Sequence, residues 1–357
     1  MPTFGTPQLK LLEKLCSVIA VSGDEGEVRK IVLEEIKPHA DDVRVDALGN
    51  VLAIRRGRRK PASSRVGTRR LKVMLDAHMD EVGFMIVSDE GEGIYRFETV
   101  GGIDSRHLVG KQVYVGKERA PGVIGGKPIH LMDGGERTRK VPVDALRIDL
   151  GPAGKAKIGD RAGFATTFRR AGPSILAKSI DDRIGVATLI ELVKHAPSNI
   201  DLCAAFTVQE EIGLRGAKVA AQYFNPDMAI AIDSTPANDL PDFDGDENTT
   251  YNTKLGLGPA IYLADSSTLH DLRLVRFLQE VGEAESIPHQ LRQPGGGGTD
   301  SAAIQRALTG IPTVSVSVPH RYTHSPISLS RVEDWKHTLQ LLHAALKKIS
   351  PEVIAKR

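Results

Sequence analysis

The chain has 357 residues, 41% hydrophobic and 26% charged, with 47 basic and 45 acidic side chains and a formal net charge of +2. This composition provides for a sizeable buried core in one elaborated domain or two, and excludes a disordered or fibrous chain. The near-balanced charge gives no global attraction to nucleic acid, and no uncharged apolar run approaches the roughly 20 residues of a membrane span. The first residues lack the continuous apolar stretch of a signal peptide and read instead as an amphipathic helix over 8–20. A second helix is predicted over 24–37, with Ser22 and Asp24 as its caps. Residues 43–57 read as two strands joined at Gly49-Asn50, and 70–80 as a buried strand whose C-terminal end turns polar. From Gly83 to Phe168 the pattern changes to short strands, many glycines and no long helix, which predicts a small β domain inserted into the first. Helices are then expected at 182–195, 214–223, 267–282, 299–308 and 331–348, alternating with strands at 202–210, 228–233 and 313–318. That alternation predicts an α/β fold, a mixed sheet sandwiched by helices. Cys16 and Cys203 sit in apolar contexts with no metal or redox spacing, and a cytoplasmic location is the expectation.

Three biased segments carry tempting readings. RRGRRKPASSRVGTRR (55–70) is basic and free of acids, but without interleaved aromatics it reads as a solvated loop rather than a nucleic-acid surface. Asp242, Asp244, Asp246 and Asn248 suggest a calcium loop, yet the sixth and twelfth positions hold Glu247 and Thr253 where Gly and Glu are needed. The glycines at 295–298 are not followed by Gly-Lys-Ser/Thr, so they form no phosphate loop and read as a flexible approach to the helix at Thr299.

The chemistry-bearing residues fall at the C-terminal ends of the predicted strands, where open α/β sheets place their ligands. His78 and Asp80 close the strand at 70–80; two residues apart in an extended chain, they share a face, and a carboxylate beside an imidazole orients it for a metal. Asp181 and Asp182 open a helix, where acids commonly cap, although one of two adjacent acids can cap while the other bridges two cations. Glu210 and Glu211 follow an apolar strand as the chain turns; one could ligate a metal while the other acts as general base. Asp233 ends the strand at 228–233, and His324 lies in a loop beyond the strand at 313–318. Each alone has a bland structural explanation. Together they form a His, Asp and Glu set without thiolate, suited to two Zn²⁺, Co²⁺ or Mn²⁺ ions. His-Glu-x-x-His and Gly-x-Ser-x-Gly are both missing, which excludes a single-zinc helix site and argues against an α/β-hydrolase nucleophile.

The strings DAHMDEVGFM (76–85), SIDDRIG (179–185), VQEEIGLRGA (208–217), AIDST (231–235), GGGTDSAA (296–303) and PHRYTHSP (319–326) occur in order. With VGGIDSRHLVGKQV (100–113) and GVIGGKPIHL (122–131), they resemble the glutamyl aminopeptidase family, the dinuclear-metal, TET-type aminopeptidases. The resemblance implies a catalytic metallopeptidase domain from 1–82 and 169–357, and an inserted domain at 83–168 serving oligomerisation and substrate access. It implies that His78 and Asp233 hold one metal, Glu211 and His324 the other, and that Asp181 bridges, with Asp182 as the alternative bridge. Glu210 would be the general base, taking a proton from a water between the metals, and Asp80 would orient His78. The implied substrates are peptides with a free N-terminus, and the implied assembly is a homo-oligomer, a tetrahedral dodecamer in such proteins, with no nucleic-acid or membrane partner. Rival readings are an amidase or deacylase with the same metals, a glycosidase using Glu210 and Glu211 with the histidines idle, and a non-catalytic scaffold.

Overall fold

The computed structural model describes residues 3–58, 70–241, 252–292 and 296–355. Its N-terminal part runs through helices α1 (Thr6–Cys16) and α2 (Gly26–Ile36) into strands β1 (Asp42–Val45), β2 (Val51–Arg55) and β3 (Lys72–His78). Six strands follow: β4 (Gly83–Asp89), β5 (Ile94–Val100), β6 (Gln112–Val115), β7 (Ala120–Gly125), β8 (Arg147–Asp149) and β9 (Arg161–Phe164), with the short helix α3 (Gly134–Thr138) between β7 and β8. The chain returns through β10 (Arg169–Ala171), β11 (Ser174–Ala177), α4 (Ile180–Lys194), β12 (Asp201–Thr207), α5 (Arg215–Phe224) and β13 (Met228–Pro236). It ends with β14 (Ala260–Tyr262), α6 (Leu272–Ala284), β15 (Gln290–Arg292), α7 (Ser301–Gln305), β16 (Thr313–Arg321), β17 (Ser328–Arg331), α8 (Val332–Lys348) and α9 (Glu352–Ala355).

Two-residue periodicity builds the main sheet. Val73, Leu75 and Ala77 of β3 enter one core with Leu202, Ala204 and Phe206 of β12 and Met228, Ile230 and Ile232 of β13. Met74, Cys203, Ala205 and Ala229 face the other side, against α5 and α7. A strand covered on both faces must be apolar at nearly every position, which is why these segments read as continuous hydrophobic runs. The strands order as β1-β2-β12-β3-β13-β16-β17-β11-β10, with β14 pairing β15 and β16. The central four, β12, β3, β13 and β16, are parallel, so their C-terminal ends share one edge of the sheet. Large side chains from α1, α2, α4, α6 and α8 fill one layer, among them Trp335, whose indole N–H donates to Thr188 Oγ1 at 2.9 Å. The other layer is thinner because α5 presents only Ala217, Ala220, Ala221 and Phe224 to the sheet.

The inserted segment closes into a barrel, β4-β5-β8-β7-β6-β9, around its own core of Phe84, Phe97, Phe164 and the aliphatic residues between them. A buried ion cluster ties its root to the main sheet. Glu81, between β3 and β4, receives Lys178 Nζ at 2.8 Å and an Arg183 guanidinium nitrogen at 3.0 Å, and the Ala20 N–H donates to it at 2.9 Å. Burial opposes the charge, but Lys178 and Arg183 hold the Glu81 carboxyl below its ordinary range.

The structure departs from the sequence expectations where side-chain chemistry outweighs periodicity. The helix expected at 267–282 begins only at Leu272, because Asp271 caps it by accepting the Arg273 N–H at 3.0 Å. Ser22 does not cap α2; its hydroxyl donates to Asp80 instead. The helix expected at 299–308 is confined to Ser301–Gln305, and the strand expected at 202–210 stops at Thr207 as the chain turns. The edge strand β10, RRA, and the strand β17, SLSR, between β16 and β11, are too short and polar to register as strands in sequence. Most of the basic segment at 55–70 and the acids Asp242, Asp244, Asp246 and Asn248 lie outside the described residues. Among the described residues, no helix is long and apolar enough to cross a membrane. Cys16 and Cys203 are buried, and burial pushes both thiols up to about 12.

Candidate metal centre

Four chain segments converge on the C-terminal edge of the parallel strands. His78 is the last residue of β3, and the β3–β13 register brings Asp233 alongside, with Asp233 Oδ1 3.8 Å from His78 Nε2. The N-terminus of α4 supplies Asp181, whose Oδ1 lies 3.2 Å from His78 Nε2 and whose Oδ2 lies 3.5 Å from His324 Nε2. Glu211, in the turn after β12, places Oε2 3.2 Å from the same His324 nitrogen. Asp181 therefore belongs to two groups of ligand atoms, each within 4.8 Å of one another: His78, Asp181 and Asp233 in one, and Asp181, Glu211 and His324 in the other. The set of imidazoles and carboxylates, with no thiolate, suits divalent cations of intermediate hardness.

The neighbouring acid, Asp182, does something else. Its Oδ1 accepts the Gly185 N–H at 3.0 Å inside the first turn of α4, and the residue is fully buried. One acid of the pair stays with the helix while the other faces the cleft; a cis peptide bond joins them. Backbone geometry is unusual at the other approaches too: Ser179, Gln209, Leu214, Tyr322 and His324 all have φ between +49° and +66°. Left-handed non-glycine residues are uncommon, and their grouping around one cleft marks it as a site that packing holds in shape.

Asp80 is the hub behind the cleft. One oxygen accepts the Glu210 N–H at 3.0 Å and lies 3.6 Å from His78 Nδ1. The other accepts the Ser22 hydroxyl at 2.6 Å and the Glu211 N–H at 3.2 Å. Burial works against its charge, but His78, Ser22 and the Glu210 N–H together hold it below the ordinary carboxylate range. This one side chain fixes both an imidazole and the turn that carries Glu210 and Glu211. On the opposite side, His324 Nδ1 lies 2.8 Å from the carbonyl oxygen of Gly102, in the loop after β5. An N–H at Nδ1 donating there leaves Nε2 as the nitrogen that could meet a cation, so the barrel sets the orientation of one imidazole.

The charges are crowded. Burial and the adjacent carboxylate of Asp181 push Asp233 well above its ordinary range, and burial with Glu211, Asp300 and Asp233 does the same to Glu210 against the pull of His78. Burial would lower both imidazoles, but Asp181 and Asp80 raise His78 well above normal, and Asp181 and Glu211 raise His324 to about 11. Glu211 Oε1 is buried without a hydrogen-bond partner. A cluster of buried acids with an orphaned oxygen is the environment that cations would neutralise.

A family model described as M42 glutamyl aminopeptidase matches residues 62–341. The chain belongs to that family. Among M42-like relatives, the lysyl aminopeptidase of Pyrococcus furiosus is 31% identical over 96% of this chain and 97% of its own. Aminopeptidase APDkam598 from the archaeon Desulfurococcus kamchatkensis shares the fold with a TM-score of 0.89 at 33% identity, over 98% of this chain and 97% of that one. The Pyrococcus horikoshii TET1 peptidase, which can assemble into a tetrahedron or a large octahedral shell, matches with a TM-score of 0.81 at 32% identity, over 96% and 100% of the two chains.

In this M42 chain, six of the residues singled out in the sequence, His78, Asp181, Glu210, Glu211, Asp233 and His324, line the same cleft, and Asp80 lies behind it, 3.6 Å from His78 Nδ1. Others went unseen in the sequence. Ser22 and the Gly102 carbonyl lie far from any ligand motif. His320 Nε2 lies 2.7 Å from Thr323 Oγ1 and 3.3 Å from Ser234 Oγ in the cleft wall, and burial lowers this imidazole to about 4. Only its place as the second residue of the string PHRYTHSP (319–326) offered a signal for it.

Proposed function

We propose that the protein is a metal-dependent aminopeptidase that removes N-terminal residues from peptides, with two divalent cations held in the cleft. The observation that carries this reading is the sharing of Asp181 between two groups of three ligands. His78 and Asp233 would hold one cation with one oxygen of Asp181, and Glu211 and His324 the other with its second oxygen. The donors accept Zn²⁺, Co²⁺ or Mn²⁺. Bound there, such ions supply Lewis acidity toward the scissile carbonyl and lower the pKa of a water.

Glu210 lines the same cleft but belongs to neither ligand group. Its carboxylate is the general base: it accepts the proton of the attacking water and returns a proton to the leaving amine. Asp80 acts through others, holding His78 and the main chain of Glu210 and Glu211 in place. Asp80→Asn is expected to weaken metal binding or kcat/KM by about 10–100-fold, the usual effect of losing a carboxylate behind a metal-binding imidazole. Titrating metal-free protein with Zn²⁺ against a competing chelator checks it, and an unchanged affinity together with unchanged turnover would remove Asp80 from the machinery.

Residues 1–82 and 169–357 form the catalytic domain in this reading, and 83–168 the inserted domain. The TET1 peptidase of Pyrococcus horikoshii assembles into closed shells, and a homo-oligomer is proposed here as well. Ile129 and Leu131, 71% and 61% exposed on the barrel, offer apolar surface for such a contact.

The test is a panel of free and N-acetylated aminoacyl-p-nitroanilides and short peptides, before and after chelation and with Zn²⁺ or Co²⁺ restored. Hydrolysis of the free amines alone, lost with chelator and regained with metal, is the expected result. Activity confined to acetylated substrates would make the protein a deacylase, and silence on every substrate with metal bound would make it a non-catalytic member.

A further inference from the structure

The wall of the cleft holds two hydroxyls that the chemistry assigned to Glu210 leaves unused. The two-residue alternation of β13 and β16 puts Ser234 and His320 on the face of Ile232 and Val318, which packs toward α4 and α8. Both are buried, Ser234 at 6% and His320 at 0% exposure. Thr323 arrives from the turn after β16. Its neighbours Tyr322 and His324 have left-handed backbones, with φ of +66° and +53°, so the turn is held in one shape by its surroundings. Ser234 and Thr323 line the cavity of about 450 Å³ that also receives the metal-site carboxylates.

His320 Nε2 lies 2.7 Å from Thr323 Oγ1 and 3.3 Å from Ser234 Oγ, while Nδ1 is buried without a hydrogen-bond partner. Burial lowers this imidazole to about 4, although Asp181 pulls the other way, so near neutral pH the ring carries one proton. With the proton on Nδ1, a buried N–H would lack an acceptor, an arrangement folded proteins avoid. With it on Nε2, the N–H donates to Thr323 Oγ1 and the orphan is a bare acceptor, the less costly of the two. The proton therefore belongs on Nε2. A hydroxyl that accepts from His320 turns its own hydrogen elsewhere. Among the described residues Thr323 Oγ1 has no other partner, which leaves that hydrogen to the cleft.

We propose that Thr323 is a further catalytic residue, its hydroxyl donating to the scissile carbonyl oxygen as that oxygen gains negative charge, and that His320 is the residue that positions it. This rests on the aminopeptidase reading. During attack, the water oxygen bonds to the scissile carbon, one water proton passes to Glu210, and the π pair of the C=O moves onto its oxygen. On collapse, that pair re-forms the C=O, the C–N bond breaks, and Glu210 returns the proton to the leaving nitrogen. Between the two events the oxygen is an anion. A fixed O–H pointing there strengthens as the charge grows, so it favours the transition state over the bound substrate. It also adds a donor without adding a charge to a crowded cluster. The placement suits the role: Thr323 adjoins His324 and Ser234 adjoins Asp233, which belong to the two different ligand groups.

The experiment takes the free aminoacyl-p-nitroanilide that the metal-restored protein hydrolyses fastest. It measures kcat and KM on that substrate, and calorimetric binding of the corresponding free amino acid and of its phosphonate analogue, whose tetrahedral anion copies the charged oxygen. Thr323→Val is expected to lower kcat by about 10²–10³-fold, the range for loss of one oxyanion donor, with KM and metal content unchanged. Thr323→Ser keeps the hydroxyl and should recover most of the rate. The phosphonate should bind Thr323→Val more weakly by a comparable factor while the amino acid binds as before; a residue that only braced the turn would weaken both. His320→Leu should cost less, and nothing further in a Thr323→Val background, because it acts through that hydroxyl. Unaltered kcat in Thr323→Val, or equal weakening of both ligands, overturns the proposal and leaves the aminopeptidase reading standing. A larger loss in Ser234→Ala than in Thr323→Val gives the role to the other hydroxyl and also overturns it. Failure of the unaltered protein to hydrolyse any free-amine substrate would sink both readings together.

Discussion

Glu210→Gln is expected to lower kcat by about 10²–10⁴-fold, the range for loss of a positioned general base, with metal content unchanged. The substitution keeps the shape and the main-chain N–H that donates to Asp80 at 3.0 Å, so the turn and its neighbour Glu211 stay in place. What disappears is the capacity to take a proton. Because Glu210 lies outside both groups of ligand atoms, the ions should remain. Burial, together with the charges of Glu211, Asp300 and Asp233, raises this carboxyl above its ordinary range. Steady-state rates on a free aminoacyl substrate and metal content by mass spectrometry together provide the check. Normal turnover by the variant would remove Glu210 as the base, whatever its metal content.

The contrast between what the sequence disclosed and what it concealed follows from how each residue acts. His78, Asp233 and Glu211 could be found because a parallel sheet brings strand ends to one edge, and a polar residue closing an apolar run stands out in one dimension. The barrel was legible as a change of texture, from long apolar runs to short strands and glycines, although its strand order was not. Ser22 and the Gly102 carbonyl were hidden for a common reason: each acts by tertiary proximity, over separations that no local pattern encodes. Ser22 reaches Asp80 across 58 residues, and Gly102 reaches His324 across 222. Gly102 also acts through its backbone, which carries no residue-type signature at all. The helix boundaries at 267–282 and 299–308 shifted because Asp271 caps at one place and the turn at Thr299–Asp300 at another, while apolar spacing alone runs on past both.

Asp181→Ala tests the geometry most severely, because one side chain would serve two ions. The expected outcome is loss of both, against loss of one in His78→Ala, which removes a ligand from a single group. Turnover should fall with the metals, by at least the Glu210→Gln factor. Asp182→Ala is the internal comparison. Its carboxylate accepts the Gly185 N–H within α4, so its removal should cost about 1 kcal/mol of stability as the loss of a helix-start acceptor and leave two ions bound. Thermal unfolding separates the cases independently of activity: metal at a hundred times its Kd stabilises a binding protein by about 2.7 kcal/mol per site. That gain should appear in the unaltered protein and in Asp182→Ala, shrink in His78→Ala, and vanish in Asp181→Ala. Should Asp182→Ala instead lose the response and Asp181→Ala keep it, the bridge belongs to the second acid. If both variants keep it, no shared carboxylate joins the ions, and the cleft would hold them, if it holds two, as separate sites.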